Sequence, residues 1–247
     1  MLSVSGLTKR FEGLTVMEGF DLTVPRGGFT TLIGPSGCGK STLFDVLTGV
    51  FPRDDGRMSW LGEAVPDLMS RAAYMQQKDL LLPWLSLIDN AMLPAKIAGA
   101  DENDSQEKAS ALFSRLGLHD FENYIPRKVS GGMRQRCALV RTLMFEHELV
   151  LLDEPLSSLD AITRRSLQAL LLLLQSEFNK TILMITHDIE EALLLSDELL
   201  VLTPIPMRVR ERFVLEMPKL GRNSNPELLK IKEHVLEELE GDLNGTI

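Results

Sequence analysis

Cysteine is nearly absent: Cys38 and Cys137 are the two in 247 residues. They lie far apart, with no CxxC pair and no histidine cluster beside them. That excludes a disulfide framework and a Cys-based zinc site, and it fits a reducing compartment. Long apolar runs are missing too. The leucine-rich stretch Leu167 to Leu174 is far shorter than the roughly 20 residues that span a bilayer. The opening MLSVSGLTKRFEG has no apolar stretch of signal-peptide length, so any membrane role is expected to be peripheral. Positive charge is in deficit, with 26 Lys and Arg against 35 Asp and Glu and a formal net charge of -9. A dedicated nucleic-acid binder concentrates basic residues, so no nucleic-acid partner is expected. No internal repeat or low-complexity tract stands out.

What is present suits one elaborated α/β domain, since 44% hydrophobic content in a chain of this length buries a large core. Short apolar stretches from Leu2 to Val24, broken by Gly6, Gly13 and Gly19, read as short strands. The turn Pro25-Arg26-Gly27-Gly28 then leads into a buried strand, Phe29 to Ile33. Leu85 to Leu118 reads as a helical insertion. Leu149 to Leu152 and Thr181 to Thr186 are continuous apolar runs of strand length, the pattern of a parallel sheet covered on both faces. A helix is expected over Thr163 to Phe178, and a last one from Pro226 to Leu239, beyond a stretch weakened by Pro204, Pro206 and Pro218.

Directly after the strand ending at Ile33 comes Gly34-Pro35-Ser36-Gly37-Cys38-Gly39-Lys40-Ser41-Thr42. Apolar residues at helical spacing follow it: Leu43, Phe44, Val46 and Leu47. Strand, glycine loop and helix in this order form a phosphate cradle. Glycine lets backbone N–H groups converge on anionic oxygens, and the helix amino terminus adds favourable partial charge. In this GxxxxGK[ST] pattern Lys40 reaches the β and γ phosphates and the Ser41 hydroxyl coordinates Mg²⁺. Thr42 adds a phosphate contact, and Cys38 reads as a small filler.

Transfer of a phosphoryl group to water also needs a held metal, a group that orients or deprotonates the water, and a sensor of the γ phosphate. Asp153-Glu154 ends an apolar strand, at the sheet edge where ligands of open α/β folds bind. Asp153 suits Mg²⁺ and Glu154 the attacking water. His187 follows another such strand and can reach the γ phosphate, whereas His119, His147 and His234 read as structural.

The segment Val129-Ser130-Gly131-Gly132-Met133-Arg134-Gln135-Arg136 is where the chain resembles the ATP-binding-cassette ATPases. Ser130-Gly131-Gly132 before a helix is a second anion-binding terminus, for which one chain has no evident need. The resemblance implies a P-loop NTPase core with a mainly parallel sheet, an N-terminal antiparallel β subdomain and an inserted α-helical subdomain. Residues 1–77 and 149–205 would form the catalytic core, 78–148 the helical subdomain, and 206–247 a C-terminal extension. It further implies a head-to-tail dimer, either two copies of this chain or one copy with a related subunit. Each ATP would lie between one subunit's 34–42 loop and the other's Ser130, Gly131 and Gly132. By the same resemblance Phe11 stacks on adenine with Val16 nearby, Gln77 rather than Gln76 links Mg²⁺ and the water to a membrane partner, and Asp160, in Ser157-Ser158-Leu159-Asp160, lies at the dimer seam. Val129, Met133 and Phe11 depart from the usual leucine, glutamine and tyrosine but are apolar residues of similar size.

Leu80-Leu81-Leu82-Pro83-Trp84, the Ser-Gly-Gly-Met version of the signature and Asn225-Pro226-Glu227-Leu228 resemble the nitrate, sulfonate and taurine importer branch. The expected partners are then transmembrane permease subunits and, indirectly, a solute-binding protein, with the chain on the cytoplasmic face of the inner membrane. Trp84 would line a groove for a short helix of the permease, or else belong to the core of the helical subdomain. A soluble mechanical ATPase and a small-molecule kinase are the competing classes. The first would carry a coiled-coil insertion or a second cassette, and the second would lack the Ser-Gly-Gly-Met segment.

Overall fold

The computed structural model describes residues 1–157, 159–222 and 225–244. Ser158 of the expected seam motif, and residues 223, 224 and 245–247 of the expected C-terminal extension, lie outside the described residues. Two sheets form the frame. The first is four-stranded and antiparallel, built from β1 (Leu2–Phe11), β2 (Leu14–Val24), β4 (Asp55–Trp60) and β5 (Glu63–Ala64) in the order β2-β1-β4-β5. Where the glycines suggest short strands, the structure has two long ones with register shifts between Val4 and Leu7 and between Leu7 and Lys9. Gly6, at φ 64, lies in the first of these shifts, so this glycine bends a strand rather than ending it.

The second sheet has six strands in the order β10-β9-β3-β8-β7-β6. Its members are β3 (Phe29–Ile33), β6 (Ala72–Met75), β7 (Leu149–Asp153), β8 (Thr181–Ile185), β9 (Glu198–Leu202) and β10 (Val209–Val214). All neighbours run parallel except β10, which pairs antiparallel with β9. Around the sheets lie α1 (Lys40–Leu47), α2 (Leu87–Ala98), α3 (Glu102–Arg115), α4 (Gly131–Leu143), α5 (Ala161–Ser176), α6 (Ile189–Leu195) and α7 (Pro226–Asn244). No helix among the described residues is long and apolar enough to cross a membrane.

The apolar runs of β7 and β8 are continuous because alternate side chains enter different cores. Val150, Leu152, Ile182 and Met184 pack with the α2–α5 helices. Leu149, Leu151, Leu183 and Ile185 pack towards α1 and the antiparallel sheet. Leu151 is fully buried, so Leu151→Ala is expected to cost about 2–5 kcal/mol through lost transfer energy and a residual cavity, read as a lowered midpoint in urea unfolding.

β10 departs from the expected weakening after Thr203. Pro204 and Pro206 sit in the β9–β10 connection and Pro218 follows β10, an edge strand with half-buried or exposed residues, so its run carries little apolar signal. The tail is nevertheless fastened to the body. Leu228 and Val235 of α7 pack on Ile33, Ile189 and Leu193. The buried Arg222 donates to the carbonyls of Leu193, Ser196, Leu215 and Met217 at 2.6 to 2.9 Å.

Candidate active site

Four chain segments meet at the carboxyl edge of the parallel strands: the loop after β3, Gln77 after β6, Glu154 after β7 and His187 after β8. The register aligns Met75 with Leu152 and Asp153 with Ile185, which sets the ends of β6, β7 and β8 level. Ser36, Gly37, Gly39, Lys40, Ser41, Thr42, Gln77, Glu154 and His187 line one open cleft of ≈ 290 Å³.

The cradle follows from backbone chemistry. Gly37 and Gly39 take φ of 78° and 108°, the left-handed region that glycine enters without penalty. A Cβ on Gly39 would stand 2.5 Å from Val16 Cγ1. Val16 is thus buried against the loop. Gly39→Ala is expected to weaken nucleotide binding more than the conservative change suggests, because both conformation and space are lost; a nucleotide titration of the folded variant checks this. The α2, α3, α4, α5 and α6 helices are each capped by a side chain, from Ser86, Asp101, Ser130, Asp160 and Asp188. Helix α1 has no side-chain cap and no acid in its first turn. Its first N–H groups therefore suit an anion.

Lys40 is largely buried. Its ammonium donates to the carbonyls of Gly34 at 2.7 Å and Pro35 at 2.9 Å, and it lies 3.7 Å from Cys38 Sγ. The ammonium is thereby held along the loop, from which a phosphate can recruit it. Burial pushes the Cys38 thiol up, with Lys40 opposing, so Cys38 is a protonated filler.

Asp153 is buried at the end of β7. Burial, with the nearby Glu154 and Asp45 charges, raises its carboxyl to about 6, although the neighbouring Ser41 hydroxyl and Lys40 oppose the rise. Ser41 and Asp153 thus present two hard oxygen donors where negative charge is under-compensated, a donor set that fits Mg²⁺. No three His, Cys, Asp or Glu side chains converge on a metal position among the described residues. The raised carboxyl has a testable sign. Charging Asp153 opposes folding, so its contribution is full below the unfolded value near 3.8 and is lost as pH rises through about 6. In metal-free buffer Asp153→Asn is therefore expected to be more stable than wild type at pH 7, with the advantage shrinking towards pH 4 in thermal melts.

Glu154 has φ 49°, a strained conformation for a residue with a side chain, of the kind that collects at active sites. Its backbone is pinned: its N–H donates to Ile185 O at 2.9 Å, and Gln135 Nε2 donates to its carbonyl at 3.1 Å. Its Oε2 accepts from Gln77 Nε2 at 3.0 Å and stands 3.4 Å from His187 Nδ1. Of the two adjacent glutamines, Gln77 is the one that reaches this carboxylate. Gln135 was not singled out from the sequence, although it lies in the signature segment. Its only signal is a polar residue on the buried face of a helix.

The remaining expected residues lie elsewhere. Ser130 caps α4 by accepting from Met133 N at 3.2 Å. It is exposed, as is Gly131, with Gly132 half-buried, and none of the three lines this chain's own cleft. Asp160 caps α5, accepting from Ile162 N and Thr163 N at 3.1 and 3.0 Å. Phe11 is half-buried, edge-on to Phe51 at 5.3 Å and beneath the Lys9 ammonium at 4.7 Å. Trp84 is 72% exposed, so the helical-core account of this residue is corrected: it lies on the surface.

Residues 17–157 match the family described as ABC transporter. The taurine import ATP-binding protein TauB of Rhizobium johnstonii is 42% identical over 193 residues, covering 78% of this chain and 74% of the relative. TauB of Yersinia pseudotuberculosis is 36% identical over 244 residues, with 96% of each chain covered. Among solved structures, a dimeric bacterial ABC transporter cassette superposes with a TM-score of 0.81 over 88% of this chain and 100% of the other, at 24% identity. A dimeric cassette in a post-hydrolysis state with ADP and Pi gives 0.80 at the same coverage and identity. At that identity the likeness speaks for the fold alone. With the phosphate loop, the acid pair and the signature segment in place and most of the sequence aligned, the chain belongs to the ABC transporter family and is an ATPase of that family.

Proposed function

We propose that this chain is the ATP-hydrolysing subunit of an importer for a small sulfonate such as taurine, acting as a head-to-tail dimer of two copies on the cytoplasmic face of the inner membrane. The observation that carries the reading is the separation of the phosphate loop from the Ser-Gly-Gly turn. The loop before α1 opens into the cleft with Glu154 and His187, while Ser130 and Gly131 face solvent away from it. A second copy can therefore complete each site. The alignment with TauB over nearly the whole chain supports the solute class.

In this reading residues 34–42 hold the triphosphate. Ser41 and Asp153, with Gln77, would hold Mg²⁺, which when bound neutralises charge on the β and γ oxygens. Glu154 orients the attacking water and takes its proton, and His187 contacts the γ phosphate. The contacts of Gln77 and His187 with Glu154 Oε2 keep that carboxylate aimed into the cleft. The neighbouring subunit's Ser130, Gly131 and Gly132 close over the γ phosphate, and Asp160 lies at the seam. Closure of the dimer over ATP rearranges the permease subunits, and hydrolysis reopens it. Exposed Trp84 and Leu80 offer the permease a contact surface beside Gln77.

The test is transport. The chain, copurified with its permease subunits and reconstituted in vesicles with a solute-binding protein, is expected to accumulate labelled taurine only with Mg-ATP on the side of this chain. ATP turnover without taurine, nitrate or sulfonate accumulation would reject the importer reading.

A further inference from the structure

Arg134 joins the loop that carries Gln77 to the turn that carries Ser130. Arg134, in the first turn of α4, donates from Nε to Asp79 Oδ2 at 2.9 Å and from Nη1 to the Val129 carbonyl at 3.2 Å. Val129 directly precedes Ser130, and Asp79 lies two residues after Gln77. The other Asp79 oxygen accepts from Leu81 N at 3.2 Å, so the carboxylate is held on both sides. A second arginine of the same helix repeats the grip: Arg141 donates to Asp79 O at 2.6 Å and to Leu80 O at 2.8 Å. Leu80 itself sits at φ 44°, a conformation that needs such fixing. On the far side of the loop, the buried Asn90 bonds Leu82 through both backbone groups, at 2.7 and 3.1 Å.

Stability alone does not account for this arrangement. The Asp79 and Arg134 side chains are about one third exposed, at 30% and 36%, and pairs of that kind add little to folding. A planar guanidinium that reaches two separate segments at once does supply geometry.

We propose that Arg134 is a positioning residue that makes the Gln77 loop and the Ser-Gly-Gly turn move as one body. Displacing the turn towards a second copy's nucleotide then shifts Gln77 relative to Glu154 in the turn's own chain. Engagement at one half-site is thereby reported to the carboxylate of the other. This inference rests on the ATP-sandwich reading above.

The experiment uses the full chain in the Glu154→Gln background with Mg-ATP, comparing Arg134→Gln, Asp79→Asn and their combination. Each single change is expected to raise the dimer dissociation constant about tenfold in sedimentation, equivalent to about 1.4 kcal/mol. Combining them should add nothing further, because both break the same contact. Binding of a fluorescent ATP analogue by the monomer should stay within about twofold, since the cradle is untouched. Amide hydrogen exchange at residues 79–82 should accelerate in the Arg134→Gln monomer, a readout independent of dimerisation. Arg134→Lys, which keeps the charge without the fork, should recover monomer folding but not dimer affinity. Dimerisation equal to the parent, or additive losses in the double variant, would overturn the strap. Failure of the Glu154→Gln parent itself to dimerise with ATP would instead overturn the sandwich reading, and the strap with it.

Discussion

Glu154→Gln is expected to lower ATP turnover by about 10²- to 10⁴-fold while leaving nucleotide affinity nearly intact. The amide fills the same volume and keeps the backbone bonds, donated to Ile185 O and accepted from Gln135, that hold residue 154 in its left-handed conformation. It cannot accept the proton of the attacking water. The cradle at residues 34–42 does not depend on that charge, so binding and chemistry separate. A variant that closes on ATP without cleaving it should accumulate as a dimer, visible by light scattering on adding Mg-ATP. Turnover within a few-fold of wild type would remove Glu154 from its assigned role and leave His187 to be tested in its place.

Lys40→Ala is expected to act at the earlier step. Charge-assisted hydrogen bonds to phosphate contribute roughly 1.5–3 kcal/mol, so the variant should bind ATP on the order of 10- to 100-fold more weakly, measured by calorimetry. Two things change, and the loss of charge dominates. The positive charge leaves the cleft, and the Gly34 and Pro35 carbonyls that Lys40 now satisfies lose their donor. Lys40→Arg separates the two, because it restores charge in a site shaped for a slender ammonium. Affinity equal to wild type in Lys40→Ala would contradict the phosphate contact.

Much of the site was legible in advance because its elements are local. A strand, a glycine turn and a helix start suffice to define residues 34–42, and Asp153-Glu154 and His187 each terminate an apolar run. The three were legible as members of one site because parallel strands deliver their carboxyl ends to a common edge. Other parts gave no such signal. β6 has four residues, two of them alanine, and β10 is an exposed edge strand. Gln135, Asp79 and Arg134 act on segments 19 and 55 residues distant, and no periodicity encodes such a partner.

The sequence by itself determined the chemistry: which residues can cradle phosphate, hold a cation and polarise water, because those abilities belong to side-chain type and to backbone conformations that glycine permits locally. Only the tertiary structure decided the geometry. The strand register sets Gln77 at 3.0 Å from Glu154, the close approach of Val16 obliges position 39 to be glycine, and burial raises the Asp153 carboxyl. Distances, packing and desolvation arise between segments far apart along the chain, and they take values only once the sheet has assembled.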